Sequence, residues 1–92
     1  MNIALDYDAT YTRDPKFWDE FVELAGKHGH EVVCVTKREP ELGTPGLSVR
    51  AVFSSRRAKR PAASNAGIPI SVWIDDTPES ILFDDGVTLQ YA

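Results

Sequence analysis

Residues 3–36 read IALDYDATYTRDPKFWDEFVELAGKHGHEVVCVT, and the pattern of this stretch decides the fold. It opens on a short apolar run at residues 3–5 and closes on another at residues 32–35. Both runs are nearly continuous rather than alternating, as in strands covered on two faces. Between them lies a helix signal, with Asp14 at the N-cap, Pro15 at the first helical position, Asp19 and Glu20 in the first turn, and Gly29 as the stop. Phe17, Phe21, Leu24 and Ala25 form its expected core stripe, with Trp18 and Val22 beside them. Strand, helix and strand within about thirty residues make a βαβ unit, so the two strands run parallel through a right-handed crossover.

Beyond this unit, residues 37–48 hold Pro40, Gly43, Pro45 and Gly46, which argues for an extended or irregular crossover rather than a helix. It leads to a third apolar run at residues 49–53. A second helix is expected from Arg60-Pro61 to Gly67, delivering the chain to a fourth strand at residues 70–74. Thr77-Pro78-Glu79 reads as the cap and first turn of a very short third helix, Asp84-Asp85-Gly86 as a turn, and residues 87–91 as a fifth strand at a sheet edge. The expected product is a single α/β domain over residues 1–92, without repeats or linkers.

At 92 residues the chain is near the lower limit for a self-sufficient core and has no room for a separate substrate domain. A net charge of −4 argues against general nucleic-acid binding; the run Arg56-Arg57-Ala58-Lys59-Arg60 is a local exception that reads first as a solvated loop. The single cysteine, Cys34, lies inside an apolar run and reads as a small buried residue in a reducing compartment. The first residues carry neither a basic start nor a long apolar stretch, so a cytoplasmic protein without membrane association is expected.

In a parallel sheet all strands end on one edge, and the crevice there is where open α/β folds bind ligands. Asp6 and Asp8 follow strand one, Thr36 follows strand two, Ser54 and Ser55 follow strand three, and Asp75 and Asp76 follow strand four. Carboxylates gathered in this way repel one another unless protons or a cation compensate them. Mg²⁺ is the natural compensator, since it prefers oxygen ligands and shares its sphere with water and phosphate. Lys59, beside the helix start marked by Pro61, adds a positive charge suited to a phosphate, and Thr36 adds a hydroxyl. Arg60, Lys37, Arg56 and Arg57 compete with Lys59 for that role. The structural readings are turn residues for Asp6 and Asp8, a helix cap for Asp76 and a strand end for Thr36; the acidic pair repeated at two distant strand ends favours chemistry. His28 and His30 flank Gly29 at a helix end, where they suit the helix dipole rather than a metal.

These residues resemble, in order along the chain, the motifs of the haloacid dehalogenase superfamily of phosphotransferases. Asp6-Tyr7-Asp8-Ala9-Thr10 matches its Asp-x-Asp-x-Thr, Thr36 in Val35-Thr36-Lys37 its hydroxyl residue after strand two, Lys59 its lysine before strand four, and Asp75-Asp76 in Trp73-Ile74-Asp75-Asp76 its closing acidic pair. The resemblance implies a three-layer, Rossmann-like domain with a mainly parallel sheet of four to five strands in the order 3-2-1-4-5. It implies a phosphomonoester hydrolase in which Asp6 is the nucleophile that forms an aspartyl-phosphate, Asp8 the acid and base, and Thr36 and Lys59 the phosphate-holding groups. Mg²⁺ would be held by the Asp6 carboxylate, the main-chain carbonyl of Asp8, Asp75 and, directly or through an intermediary, Asp76.

Relatives usually carry a hairpin flap, and often a cap domain, after the first motif. Here only Tyr11, Thr12 and Arg13 separate that motif from Asp14, and the second insertion point holds only residues 54–58, so no cap domain is expected. Among capless relatives the substrate is often a macromolecule, or a neighbouring subunit covers the site. The partner expected here is a phosphorylated small molecule or a macromolecular phosphate end, with a polynucleotide contacting Arg56, Arg57 and Arg60 as one form of it, and a homo-oligomer as another way to close the site. The alternative reading is a weak or inactive binding module that recognises a phosphorylated ligand or a protein partner. A receiver-like phosphoacceptor needs its Asp after strand three, where this chain has Phe53-Ser54-Ser55.

Overall fold

The computed structural model describes residues 1–86. The four apolar runs form strands β1 (Asn2–Leu5), β2 (Glu31–Thr36), β3 (Ala51–Phe53) and β4 (Val72–Ile74). All neighbouring pairs are parallel and the order is β3-β2-β1-β4, an α/β architecture of Rossmann-like type with no further domain among the described residues. The fifth strand expected at residues 87–91 lies outside the described residues. β3 and β4 are shorter than the apolar runs that predict them, with Val49 and Ile70 packing on the core from just before each strand.

Alternation along the central strands builds three layers, because successive side chains point to opposite faces. Ile3 and Leu5 of β1 and Val32 and Cys34 of β2 share one face with Tyr7, Tyr11 and Leu47. Helix α1 (Pro15–Lys27) covers that face. Ala4, Val33 and Val35 point the other way, where Ala63 of α2 (Lys59–Asn65) and Ile68 cover them. Val33 is fully buried, and a side chain of that size contributes about 1.5–3 kcal/mol on leaving water.

Helix α1 starts as its sequence directs: Pro15 opens it and the Asp14 carboxylate accepts a hydrogen bond from the Phe17 amide at 3.3 Å. Its first turn carries no acid; Asp19 and Glu20 lie beyond it. The core stripe also differs from expectation. Phe17 and Leu24 are 52% and 56% exposed, while Phe21 and Ala25 pack on the core as expected, joined there by Trp18 and Val22. Helix α2 begins at Lys59 itself, so this lysine stands at the helix start rather than before it. The crossover after β2 is irregular apart from a 3₁₀ turn at Pro40–Leu42, and a short α3 (Glu79–Leu82) follows β4. No helix among the described residues is long and apolar enough to cross a membrane.

Candidate metal centre

The C-terminal edge of the sheet is continued one residue past the strands. The Asp6 amide donates to the Ile74 carbonyl at 3.0 Å, and the Ser54 amide donates to the Thr36 carbonyl at 2.8 Å. These bonds fix the first residue after β1 and after β3 as firmly as the strands themselves. Beyond Asp6 the chain turns sharply through residues 7–10, with Ala9 at φ 60°, and enters a 3₁₀ turn at Tyr11–Arg13. That turn returns the Thr10 hydroxyl to the strand end, where it lies 3.1 Å from Asp6 Oδ2 and 3.3 Å from Asp76 Oδ1.

Asp6, Asp75 and Asp76 each bring a carboxylate oxygen into a group lying within 4.8 Å of one another. Lys59 is the internal counter-charge. Its Nζ donates to Asp6 Oδ1 at 2.7 Å and to Asp75 Oδ2 at 2.6 Å, and the side chains of both Lys59 and Asp75 are 3% exposed. Asp75 is held further by the Thr77 amide at 2.9 Å and the Ser80 hydroxyl at 3.0 Å. Three carboxylates against one ammonium leave two negative charges, a balance that a divalent oxygen-seeking cation would neutralise. Burial, and next the neighbouring Asp76 carboxylate, push Asp6 up to about 6, while Lys59 pulls the other way. Asp76, the most exposed of the three, is lowered, first through its interaction with Asp6. The donor set therefore fits a hard divalent ion, with Asp6 as the member that most needs it.

A cleft of about 280 Å³ opens over this group, and Asp8, Thr36, Lys37 and Asp85 line it with the acidic cluster. Thr36 is almost completely buried; its hydroxyl oxygen accepts from the Arg38 amide at 3.2 Å, which leaves its hydrogen to donate. The Asp8 carboxylate stands apart from the acidic trio and faces Arg38, which holds it through Nε at 2.9 Å and Nη2 at 3.0 Å. Of the lysine's competitors, Lys37 donates to the Phe83 carbonyl and to Asp85 Oδ1, both at 2.7 Å. Arg56 and Arg57 are exposed and form wide pairs with Asp85 at 3.6 Å and Asp84 at 3.8 Å, and Arg60 lines a separate cleft with Trp73.

No protein-family model matches this chain, and no solved structure does. Its chemistry must be read from the rim itself. Asp6, Asp8, Thr36, Lys59, Asp75 and Asp76, singled out for that rim from the sequence, all line this cleft, whereas Ser54 and Ser55 after β3 do not; Ser54 lines a separate cleft with Arg57 and Asp84. The sequence reading missed the grip of Arg38 on Asp8, although Arg38 lies only two residues past Thr36 on the same edge. It also missed Ser80, whose contact with Asp75 depends on how α3 folds back and has no local signature. Cys34 is fully buried as expected, and burial pushes its thiol up to about 12.

Proposed function

We propose that this domain is a magnesium-dependent phosphomonoester hydrolase of the haloacid dehalogenase type, working through an aspartyl-phosphate on Asp6. The observation that carries the reading is the convergence of Asp6, Asp75, Asp76, Lys59 and Thr36 on one cleft at the sheet's C-terminal edge, in the motif order of that superfamily. A cation at this centre would be held by Asp6, Asp75 and Asp76 with the main-chain carbonyl of Asp8. Bound Mg²⁺ supplies neutralisation of charge on the phosphoryl oxygens.

Asp6 attacks phosphorus, the bond from phosphorus to the leaving oxygen breaks, and Asp8 gives that oxygen a proton. Water then attacks the same phosphorus while Asp8 takes its proton, and the bond from phosphorus to Asp6 breaks to release inorganic phosphate. The Thr36 hydroxyl and the Lys59 ammonium hold the phosphoryl oxygens as charge moves onto them. No flap or cap is present among the described residues around the cleft, so it is open to a phosphorylated small molecule or to a phosphate end on a macromolecule.

Purified protein is expected to release phosphate from p-nitrophenyl phosphate with Mg²⁺, to lose this activity in EDTA, and to lose at least about 1000-fold in Asp6→Asn. Equal, negligible turnover of wild type and variant across a broad ester panel sinks the enzyme reading. Magnesium-dependent affinity for a phosphorylated ligand without turnover would instead support the binding-module alternative.

A further inference from the structure

Arg38 belongs to none of the motifs behind the proposed function, yet all three of its guanidinium nitrogens are engaged. Its Nε and Nη2 grip both Asp8 oxygens, at 2.9 and 3.0 Å. Its Nη1 donates to the Gly43 carbonyl at 3.3 Å, and its plane lies over the Tyr7 ring at 4.7 Å. Tyr7 is itself fixed by donating to the Pro45 carbonyl at 2.7 Å and by stacking on Tyr11 at 5.7 Å. The guanidinium is thus oriented by the irregular crossover and by the first turn after β1 before it reaches Asp8. The Asp8 side chain, by contrast, is 59% exposed, and its carboxylate has no other partner among the described residues.

We propose that Arg38 is the positioning residue for Asp8, the clamp that keeps an otherwise mobile carboxylate aimed into the cleft where the leaving group departs. The inference rests on the phosphatase reading and adds to it a residue that acts on the proton step alone. A two-pronged guanidinium takes one lone pair from each carboxylate oxygen and leaves the others, so Asp8 can exchange a proton with the leaving oxygen while Arg38 keeps its hold. The crossover carrying Arg38 then supplies locally the order that a flap would otherwise impose. Wandering of the carboxylate by about 1 Å would weaken proton transfer by up to about 100-fold, without touching the Asp6 attack or the phosphate grip of Lys59.

Leaving groups of different basicity separate positioning from mere support. An alkyl phosphate such as glycerol phosphate needs its leaving oxygen protonated, whereas 2,4-dinitrophenyl phosphate does not. In Arg38→Met, kcat/KM for the alkyl ester is expected to fall by about 10- to 100-fold while that for the dinitrophenyl ester stays within about threefold. Arg38→Lys keeps the cation without the fork and should repeat the contrast at smaller amplitude, so the outcome does not depend on Arg38→Met folding. Equal losses on both esters, or no loss on either, overturn the Arg38 assignment alone. Absence of turnover of both esters by the wild type overturns it together with the phosphatase reading.

Discussion

At the scale of single residues, Asp6 is where packing and chemistry pull against each other. Its carboxylate is buried beside another carboxylate, and burial above all raises it from 3.8 to about 6. A carboxyl raised in the folded state binds its proton more tightly there than in the unfolded chain. Its contribution to stability is therefore complete below about pH 4 and is lost as pH rises through 6. At about 1.4 kcal/mol per pH unit, that decline is on the order of 3 kcal/mol in metal-free protein. Thermal melts in EDTA between pH 4 and 7 should show it, and Asp6→Asn should flatten it. The same proton competes with a metal, so apparent Mg²⁺ affinity by calorimetry should weaken by up to about tenfold per unit as pH falls below 6. An affinity constant from pH 5 to 7 would remove Asp6 from the ligand set.

At the scale of elements, helix α1 separates what its sequence determines from what its neighbours determine. Asp14 and Pro15 fix its start, because the capping carboxylate and the ring-locked φ act within one turn. Its rotation is a different matter. Phe17, Phe21, Leu24 and Ala25 form one stripe at helical spacing, and Trp18, Phe21, Val22 and Ala25 form another that shares Phe21 and Ala25 with it. Each stripe is an adequate apolar face, and a rotation of the helix about its own axis exchanges Phe17 and Leu24 for Trp18 and Val22. The choice lies in tertiary packing, which sets Trp18, Phe21, Val22 and Ala25 against the cluster of Ile3, Leu5, Val32 and Cys34. Adjacent substitutions report that choice in chemical denaturation. Leu24→Gln should change stability by less than about 0.5 kcal/mol, since the side chain is exposed. Ala25→Leu should cost about 1–3 kcal/mol, because it drives a larger group into the packed face. The strands were easier to read because continuous apolar runs between turn residues leave few registers for a parallel sheet. Asp6, Thr36 and Asp75 could be placed on one rim by counting strand ends, whereas the Arg38 grip and the Ser80 contact depend on loop paths that no periodicity records.

At the scale of the whole molecule, a domain this small carries its charged cluster on a stability of only a few kcal/mol. Among the described residues Lys59 is the one cation in contact with both Asp6 and Asp75, and its side chain is buried with theirs. Removing one partner from such a group leaves uncompensated buried charge, which typically costs about 3–5 kcal/mol. Lys59→Met should therefore melt far below the wild type in EDTA. A ligand that binds only the folded state stabilises it by about 2.7 kcal/mol at one hundred times its dissociation constant. In a domain of this length each kcal/mol moves the midpoint by roughly 4–8 °C. Saturating Mg²⁺ should raise the wild-type midpoint by about 10–20 °C. The rise should be larger in Lys59→Met, where the metal alone answers the carboxylates, and nearly absent in Asp75→Ala, where a ligand is missing. Equal rises in all three proteins would mean that the ion acts elsewhere on the acidic surface. A rise confined to proteins with the trio intact ties the rim to the stability of the whole domain, with Lys59 and the metal sharing the neutralisation of one cluster.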